Sequence, residues 1–436
     1  MKNLNKHIIS YINARILDPS QGYDGLGGVI TSGKTILDAK PNLFKNNSAP
    51  EDSEIIDCKG AVIAPGIIDM RAHLREPGEE YKETLSSASK AAAAGGITSI
   101  VCMPNTQPVI DQISIVEFIA RRARETSAVK IFPCAAISMG LEGKKLTEIG
   151  MLMEAGVVAF SDAHKSLSNS LLMSRALKYS NAHGALIIQH PEDEALSSGG
   201  VMNSGPLATR LGLPGIPREA EIIQIQRDIK LLEMSGGKLH FSHVSTSDSV
   251  EAIALAQKKG LEVSCSTAPH YFTLNENEIG EWRTFAKVSP PLRSEKDRIA
   301  ITKGIKDGVI SCIASDHAPH DSDSKRLPFE QASPGIIGLE SLLPLSLKLC
   351  NSESKMKLSQ LIACLTINPA KLLNLTGGTL SKNAPADLII FDPDAPVNIS
   401  AENMLSKSKN APYDNFPAFG KVHRTVVDGR TIYKSD

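Results

Sequence analysis

The sequence predicts an α/β protein: a (β/α)8 barrel of the TIM type, carrying a small β-sandwich domain built from both ends of the chain. Three observations predict it. Between residues 63 and 378, apolar runs of strand length alternate with helical stretches, the mark of βα repeats around a parallel sheet. The flanks, 1–62 and 379–436, read instead as short strands joined by turns, so they form one small sheet domain around a continuous middle. Almost every apolar run of the middle ends in ionisable residues, and a barrel gathers the C-terminal ends of its strands into one mouth.

Taken in order, the first flank reads HIISYINARIL, a turn at DPSQGYDGLG, GVITSG, and EIIDCKGAVIAP. The last reads ADLIIFDP and then KVHRTVVDGRTIYKSD, where Asp428 and Gly429 form a hairpin turn. In the middle, strands are expected at AVIAPGIID, ITSIVCMP, VKIFPCAAI, VVAFSD, ALIIQH, KLHFSHVS, LEVSCSTAPH and VISCIASDHAPH. Helices are expected between them, among others over 83–94, 114–125, 170–182, 219–232, 249–259 and 296–304. Eight strands over about 300 residues fit a closed barrel. An open doubly wound sheet is the alternative, but its dinucleotide-binding version lacks the GxGxxG turn after an early strand.

Composition narrows the function classes. With 436 residues, 42% of them hydrophobic, the chain is long enough for one large domain and a smaller one. A formal net charge of -1 argues against a nucleic-acid partner held through phosphates. No apolar run reaches the length that spans a bilayer, and the opening MKNLNKHIIS lacks the apolar core of a secretory signal. The seven cysteines, odd in number and without a CxxC pair, read as reduced thiols in a cytoplasm. With aromatics at 4%, a small-molecule site has to rely on polar contacts.

The stretch Ile67 to Gly78, IIDMRAHLREPG, concentrates the chemistry. Asp69, Arg71, His73 and Arg75 alternate, so on a strand they share a face, and a charged inward face calls for a metal or a substrate to compensate it. Later strand ends add Asn105, Asp162, His190, His243, His270, and Asp316 with His317 and His320. Imidazoles and carboxylates converging from several strands suit Zn2+ or a similar ion, which makes hydroxide available near neutral pH. Asp316 is the best placed carboxylate to take and return a proton, because it ends a strand just before a His-rich loop. Arg75 can grip a substrate carboxylate through paired hydrogen bonds, and Asn105 can meet a ring amide. Together these residue types point to metal-assisted hydrolysis of an amide in a small acidic substrate.

The same residues carry a family resemblance. PGIIDMRAHLREPGEEYKET, GGITSIVCMPNTQPVID, QHPED, GVMNSG, RLGLPGIP, HFSHVST, PPLRSEKDR, SDHAPH, PGIIGLE and NPAKLLNL follow one another in order, and the chain resembles dihydroorotase of the amidohydrolase superfamily nearly end to end. That family catalyses reversible cyclisation of N-carbamoyl-L-aspartate to L-dihydroorotate in pyrimidine biosynthesis. The resemblance implies metal-site roles for His73, Asp162, His190, His243 and Asp316, with Asp316 also the proton shuttle. It implies one or two Zn2+ ions and a carbamoyl aspartate or dihydroorotate substrate. It further implies substrate contacts at Arg75, Asn105 and His320, and a closing loop at Pro334 and Gly335. A homodimer, or a complex with aspartate transcarbamoylase, is the expected assembly.

Three departures stand out. The family's HxH is here Arg71-Ala72-His73, and a guanidinium cannot coordinate a metal. Ser289 replaces an asparagine before PPLR, and Ala163-His164 follow Asp162 where an acidic residue and a glycine are usual. His164 reads as an exposed loop histidine ahead of a substitute ligand. Arg71 admits two accounts. In one, the enzyme works with one metal or an altered pair, held by His190, His243, Asp162, Asp316 and His73, and Arg71 pairs with Asp69 or another mouth carboxylate. In the other, Arg71 stands in for the metal and the chain is a non-catalytic subunit that stabilises aspartate transcarbamoylase. The first is favoured because metal-binding and substrate-binding residues both remain. A third reading, a hydantoinase, dihydropyrimidinase or allantoinase, conflicts with Arg75, since most of those rings lack a carboxylate for it.

Overall fold

A computed structural model describes residues 7–45, 49–351 and 354–435. The opening Met1 to Lys6, which entered the reading for a secretory signal, lies outside the described residues. The expected barrel is present. Its strands are Ile67–Ala72, Ile97–Cys102, Lys130–Ala135, Ala159–Ser161, Leu186–Gln189, Lys238–Phe241, Val263–Thr267 and Cys312–Ile313, each parallel to the next. The ring closes through a parallel bridge between Ala72 and His317, where the His73 amide donates to the His317 carbonyl at 2.8 Å.

These strands form because their residues are apolar on both faces, as a parallel sheet covered by helices requires. One face packs outward on the helices, where Ile100, Phe160, Ile187 and Phe241 join one large core with Ala88, Leu177, Ile225 and Ile301. The other fills the barrel with Ile68, Met70, Val101, Cys134, Ile188 and Ala314. The helices start on short polar caps: Thr84 accepts from the Ser87 amide, Asn169 from Leu172, Thr246 from Ser249 and Ser294 from Asp297.

Both ends of the chain build the second sheet. Its order runs Arg430–Lys434, Phe416–Val427, Leu388–Ile399, Val62–Pro65, Ile8–Asp18, Tyr23–Ser32, Thr35–Pro41, and Glu54–Asp57 also pairs with Ile8–Asp18. Tyr11, Ile16, Val29, Ile36, Leu388 and Val426 fill a core of its own.

Two segments differ from expectation. The run AVIAPGIID is two strands in two sheets: Val62–Pro65 pairs antiparallel with the segment around Leu388, whereas Ile67–Ala72 enters the barrel. Gly66 makes the crossing, since a Cβ there would fall 2.2 Å from the Thr98 side chain. The expected turn residues YDGLG are part of the strand Tyr23–Ser32, the turn being confined to Pro19–Gly22. A side chain at Gly27 would lie 2.2 Å from the Lys40 carbonyl oxygen of the neighbouring strand, so this glycine admits a close neighbour.

Candidate active site

The mouth is marked first by its backbone. Arg75, Ala163, His243 and Asp316, each just past a barrel strand, sit at φ of 63°, 59°, 57° and 49°. The left-handed region is unfavourable for such residues, and strain of this kind collects where side chains have to be aimed.

Arg71 lies across the mouth, 3% exposed. Its Nε is 3.2 Å from Asp316 Oδ1, Nη1 donates to Ser242 Oγ at 2.9 Å, and Nη2 donates to the Ala163 carbonyl at 3.2 Å. The guanidinium thus ties the eighth strand to the ends of the sixth and the fourth. Its carboxylate is Asp316; Asp69 is taken up by the Ser315 amide, the Ser315 hydroxyl and the Arg71 amide. Burial pushes the Asp69 carboxyl up to about 6.

Asp316 is the electrostatic centre. Burial opposes its ionisation, but His243, Arg71 and His270 outweigh burial and hold the carboxyl far below the usual range. His243 Nε2 is 3.0 Å from Asp316 Oδ1 yet is not aligned as a hydrogen bond, and His270 Nε2 is 3.9 Å from Oδ2. Burial lowers the proton affinity of both imidazoles, to about 3 for His270. His190, 1% exposed, has Nε2 3.4 Å from Ser289 Oγ and leaves Nδ1 without a partner.

Asp162 is engaged elsewhere. Its Oδ1 accepts from the Ile137 and Ser138 amides at 2.9 and 3.0 Å, and Oδ2 from the Ser138 hydroxyl. His73 Nδ1 meets Asn105 Oδ1 at 2.7 Å, which places the ring proton on Nδ1 and leaves the lone pair on Nε2. Among the described residues, no three His, Cys, Asp or Glu side chains gather as a metal cluster. The donors that suit a divalent ion are the unpartnered nitrogens of His190 and His243, together with Asp316.

The other side of the mouth holds Arg75, His320 and the loop with Pro334 and Gly335. Arg75 donates from Nε to the Pro319 carbonyl at 3.1 Å and from Nη1 to Glu79 at 3.0 Å, and its Nη2 lies 3.4 Å from His320 Nε2. His320 Nε2 is 3.0 Å from the Pro334 carbonyl, and burial followed by Arg75 keeps its ring neutral, down to about 3. Nδ1 of His320 is buried and unpartnered. Gly335 sits at φ 136°, and a Cβ would meet Ala318 Cβ at 2.8 Å, so the loop lies directly against the His320 strand end.

Sequence reasoning missed the residues that hold this side together. Asn410, 2% exposed, accepts from the His320 amide and donates to the Ala318 and Gly335 carbonyls, each at 3.0 Å. Lys325 Nζ donates to the Ser333 and Gly335 carbonyls at 2.8 and 3.1 Å. Ser242, the hydroxyl under Arg71, was also missed. Asn410 lies 90 residues from His320 in an irregular stretch, and only its place before Ala411-Pro412 hinted at a fixed conformation. His317 is structural: Nδ1 accepts from the Gly338 amide at 3.2 Å, and Nε2 faces Glu83 at 3.4 Å. His164 is exposed.

Comparisons with known proteins agree along the whole chain. Residues 60–249 match the Dihydro-orotase-like family model, and residues 242–433 match the Amidohydrolase family model. A dihydroorotase of Syntrophus aciditrophicus is 45% identical over 423 residues, covering 97% of this chain and 98% of that protein. One from the Wolbachia of Drosophila simulans is 46% identical over 426 residues, covering 98% and 95%. In fold, the chain is similar to an L-hydantoinase from Arthrobacter aurescens, with a TM-score of 0.87 at 24% identity, covering 98% and 96%. A dihydropyrimidinase from Brevibacillus agri gives 0.84 at 23% identity, covering 98% and 95%.

Proposed function

The chain belongs to the dihydroorotase family, and on that premise we propose that its mouth interconverts N-carbamoyl-L-aspartate and L-dihydroorotate in pyrimidine biosynthesis, with Asp316 as the proton carrier. The chain is a cyclic-amide hydrolase of the amidohydrolase superfamily, and its family implies a metal ion. The observation that carries the residue assignment is Asp316. It is a buried carboxylate kept ionised by a neighbouring cation, with an unaligned imidazole 3.0 Å away.

His190, His243 and Asp316 would hold the ion, with His73 Nε2 on the flank. When bound there, a divalent ion such as Zn2+ supplies Lewis acidity toward the amide carbonyl and a hydroxide source near neutral pH. Arg75 and His320 receive the substrate carboxylate, and Asn105 the ring amide. The Pro334–Gly335 loop, fixed by Asn410 and Lys325, covers the ring and excludes water. In hydrolysis Asp316 takes a proton from the attacking water and returns it to the ring nitrogen as the C–N bond breaks. In cyclisation it takes the carbamoyl N–H proton as nitrogen attacks the carbon of the protonated carboxyl group, and it passes that proton to the departing hydroxyl, which leaves as water.

The buried free thiols support a reducing cytoplasm: of the seven cysteines, all but Cys350 are buried. No helix among the described residues is long and apolar enough to cross a membrane.

One assay tests the reading. Purified protein with added Zn2+ is expected to turn over dihydroorotate and to leave hydantoin essentially untouched. The assay is run with and without aspartate transcarbamoylase, to separate a self-sufficient enzyme from one that works in a complex. Faster turnover of hydantoin, or none of dihydroorotate in either format, would sink it.

A further inference from the structure

Two lysines behind the substrate side of the mouth are buried without an ion pair. Lys325 is 2% exposed and Lys287 is 7% exposed. A buried ammonium is ordinarily matched by a carboxylate, because its charge is costly to take out of water. Among the described residues neither lysine has that partner, and both bond to main-chain carbonyls instead. Lys325 Nζ donates to Ser333 and Gly335, and Lys287 Nζ donates to Phe329 and Glu330 at 2.7 and 2.9 Å. Burial lowers the proton affinity of both, to about 7 for Lys325 and about 8 for Lys287. On Lys325 the neighbouring charge is Lys287, which repels it; on Lys287 the exposed Glu330 acts against burial without cancelling it.

These carbonyls all belong to one short segment, residues 329–335, which ends in the Pro334–Gly335 loop. The main chain of the segment is tied at the same place: the Gly335 amide donates to the Lys287 carbonyl at 2.8 Å, and the Ser333 amide to the Ser324 carbonyl at 3.1 Å. The other side of the segment touches the site. The Pro334 carbonyl meets His320 Nε2, and a Cβ on Gly335 would lie 3.1 Å from His320 Cδ2. The lysine charge reaches that far: after burial, Arg75, then Lys325, then Lys82 hold the His320 ring from taking a proton. The lysines thus grip the back of the segment while their field acts at its front, where Arg75 and His320 stand.

We infer that Lys287 and Lys325 latch the segment 329–335 over the substrate through its main-chain carbonyls, and that the charge they leave unpaired within the chain is offset by the substrate's carboxylate at Arg75 and His320. The inference rests on the dihydroorotase reading of the mouth and deepens it. An anion seated there relieves the repulsion between the two ammonium groups and Arg75, so the latch tightens around a carboxylated ring. A ring of the same shape without a carboxylate brings no such relief. Lys287 and Lys325 are positioning residues, since they act through the loop and the field and not by contact with the reacting atoms.

The latch is tested first without any ligand, by hydrogen exchange across residues 329–336. Lys325→Met and Lys287→Met are each expected to speed exchange of this segment about tenfold while the barrel strands keep their protection, as the loss of charged hydrogen bonds implies. Unchanged exchange in a folded variant would overturn the inference, and if Lys325→Met does not fold, Lys287→Met decides. The charge is tested by kinetics with added Zn2+. In the same variants KM for L-dihydroorotate is expected to rise about tenfold with kcat within about threefold, whereas inhibition by 5,6-dihydrouracil, the same ring without the carboxylate, weakens no more than about threefold. Equal losses for the two rings, or a fall in kcat with KM unchanged, would overturn it. The two readings fail separately: a wild-type chain without turnover whose lysine variants exchange faster removes the activity and keeps the latch, and turnover with unchanged exchange in the variants does the reverse.

Discussion

The wall of the barrel and its mouth both bury polar groups, but they treat them in opposite ways. His240 and His243 stand three residues apart at the end of the sixth strand, and both are fully buried. His240, in the wall, has Nδ1 2.8 Å from Ser264 Oγ and Nε2 2.9 Å from Ser266 Oγ. His243, at the mouth, has neither nitrogen bonded. The same contrast separates Glu221 from Asp316. Glu221, behind the wall, accepts from the backbone and hydroxyls of Ser245 and Thr246, whereas Asp316 faces imidazoles at 3.0 and 3.9 Å that are not aligned to donate. Burial is common to both histidines, and the one at the mouth differs in leaving its ring nitrogens without a hydrogen bond.

The strongest way to break this comparison is Asp316→Asn. Turnover is expected to fall at least about a thousandfold, because the proton carrier is lost while the shape is kept. Stability is expected to drop by about 3 kcal/mol, since Arg71 keeps its burial without a counter-charge. Steady-state kinetics and chemical denaturation read the two effects, and near-normal turnover would return Asp316 to the structural class.

Asn410→Ala probes the substrate side. It orphans the His320 amide and two carbonyls, so about 3 kcal/mol of stability is expected to go. KM for dihydroorotate should rise more than kcat falls, because the loop and not the proton carrier is loosened. Equal losses in both parameters would place Asn410 nearer the chemistry.

His240→Gln sharpens the wall side. Burial holds the His240 proton affinity down to about 3, so the folded protein disfavours a proton that the unfolded chain takes up below about 6.5. The contribution is therefore fully present above about pH 6.5 and is lost as pH falls toward 3. Between pH 7 and pH 5 it amounts to about 2 kcal/mol. Denaturation at the two pH values should show a correspondingly smaller acid loss in the glutamine variant. An unchanged difference would mean that His240 is not proton-linked. The smallest effect is expected of His164→Ala: metal content unchanged and turnover within about twofold, as for an exposed side chain. A lost ion in that variant would make His164 a ligand.

Much of this was legible because period and position carry information. Apolar runs such as ITSIVC and ALIIQ announce buried parallel strands, and the polar residue that ends each one announces the mouth. Less was legible where two structures share one run: AVIAPGIID is uniformly apolar, so nothing in its pattern marks Gly66 as the crossing between sheets. Gly25 and Gly27 read as a turn because the close approach of the neighbouring strand at Lys40 and Pro41 leaves no trace in local sequence. The partner of Arg71 could not be chosen from spacing, since Asp69 was two residues away and Asp316 lay 245 residues off. Asn410 was invisible for the same reason: its three bonds are all to residues more than 70 positions distant.

The seam between the first and eighth strands has a consequence for the integrity of the ring. Arg71 to Asp316, Asp69 to Ser315, and Arg75 to Pro319 all cross that seam, at sequence separations of 244 to 246 residues. Contacts of such long range carry a large loop-closure cost, and the ring has to close for any of them to exist. The charged centre and the closed ring are therefore one structural unit: whatever opens the seam also separates Arg71 from Asp316.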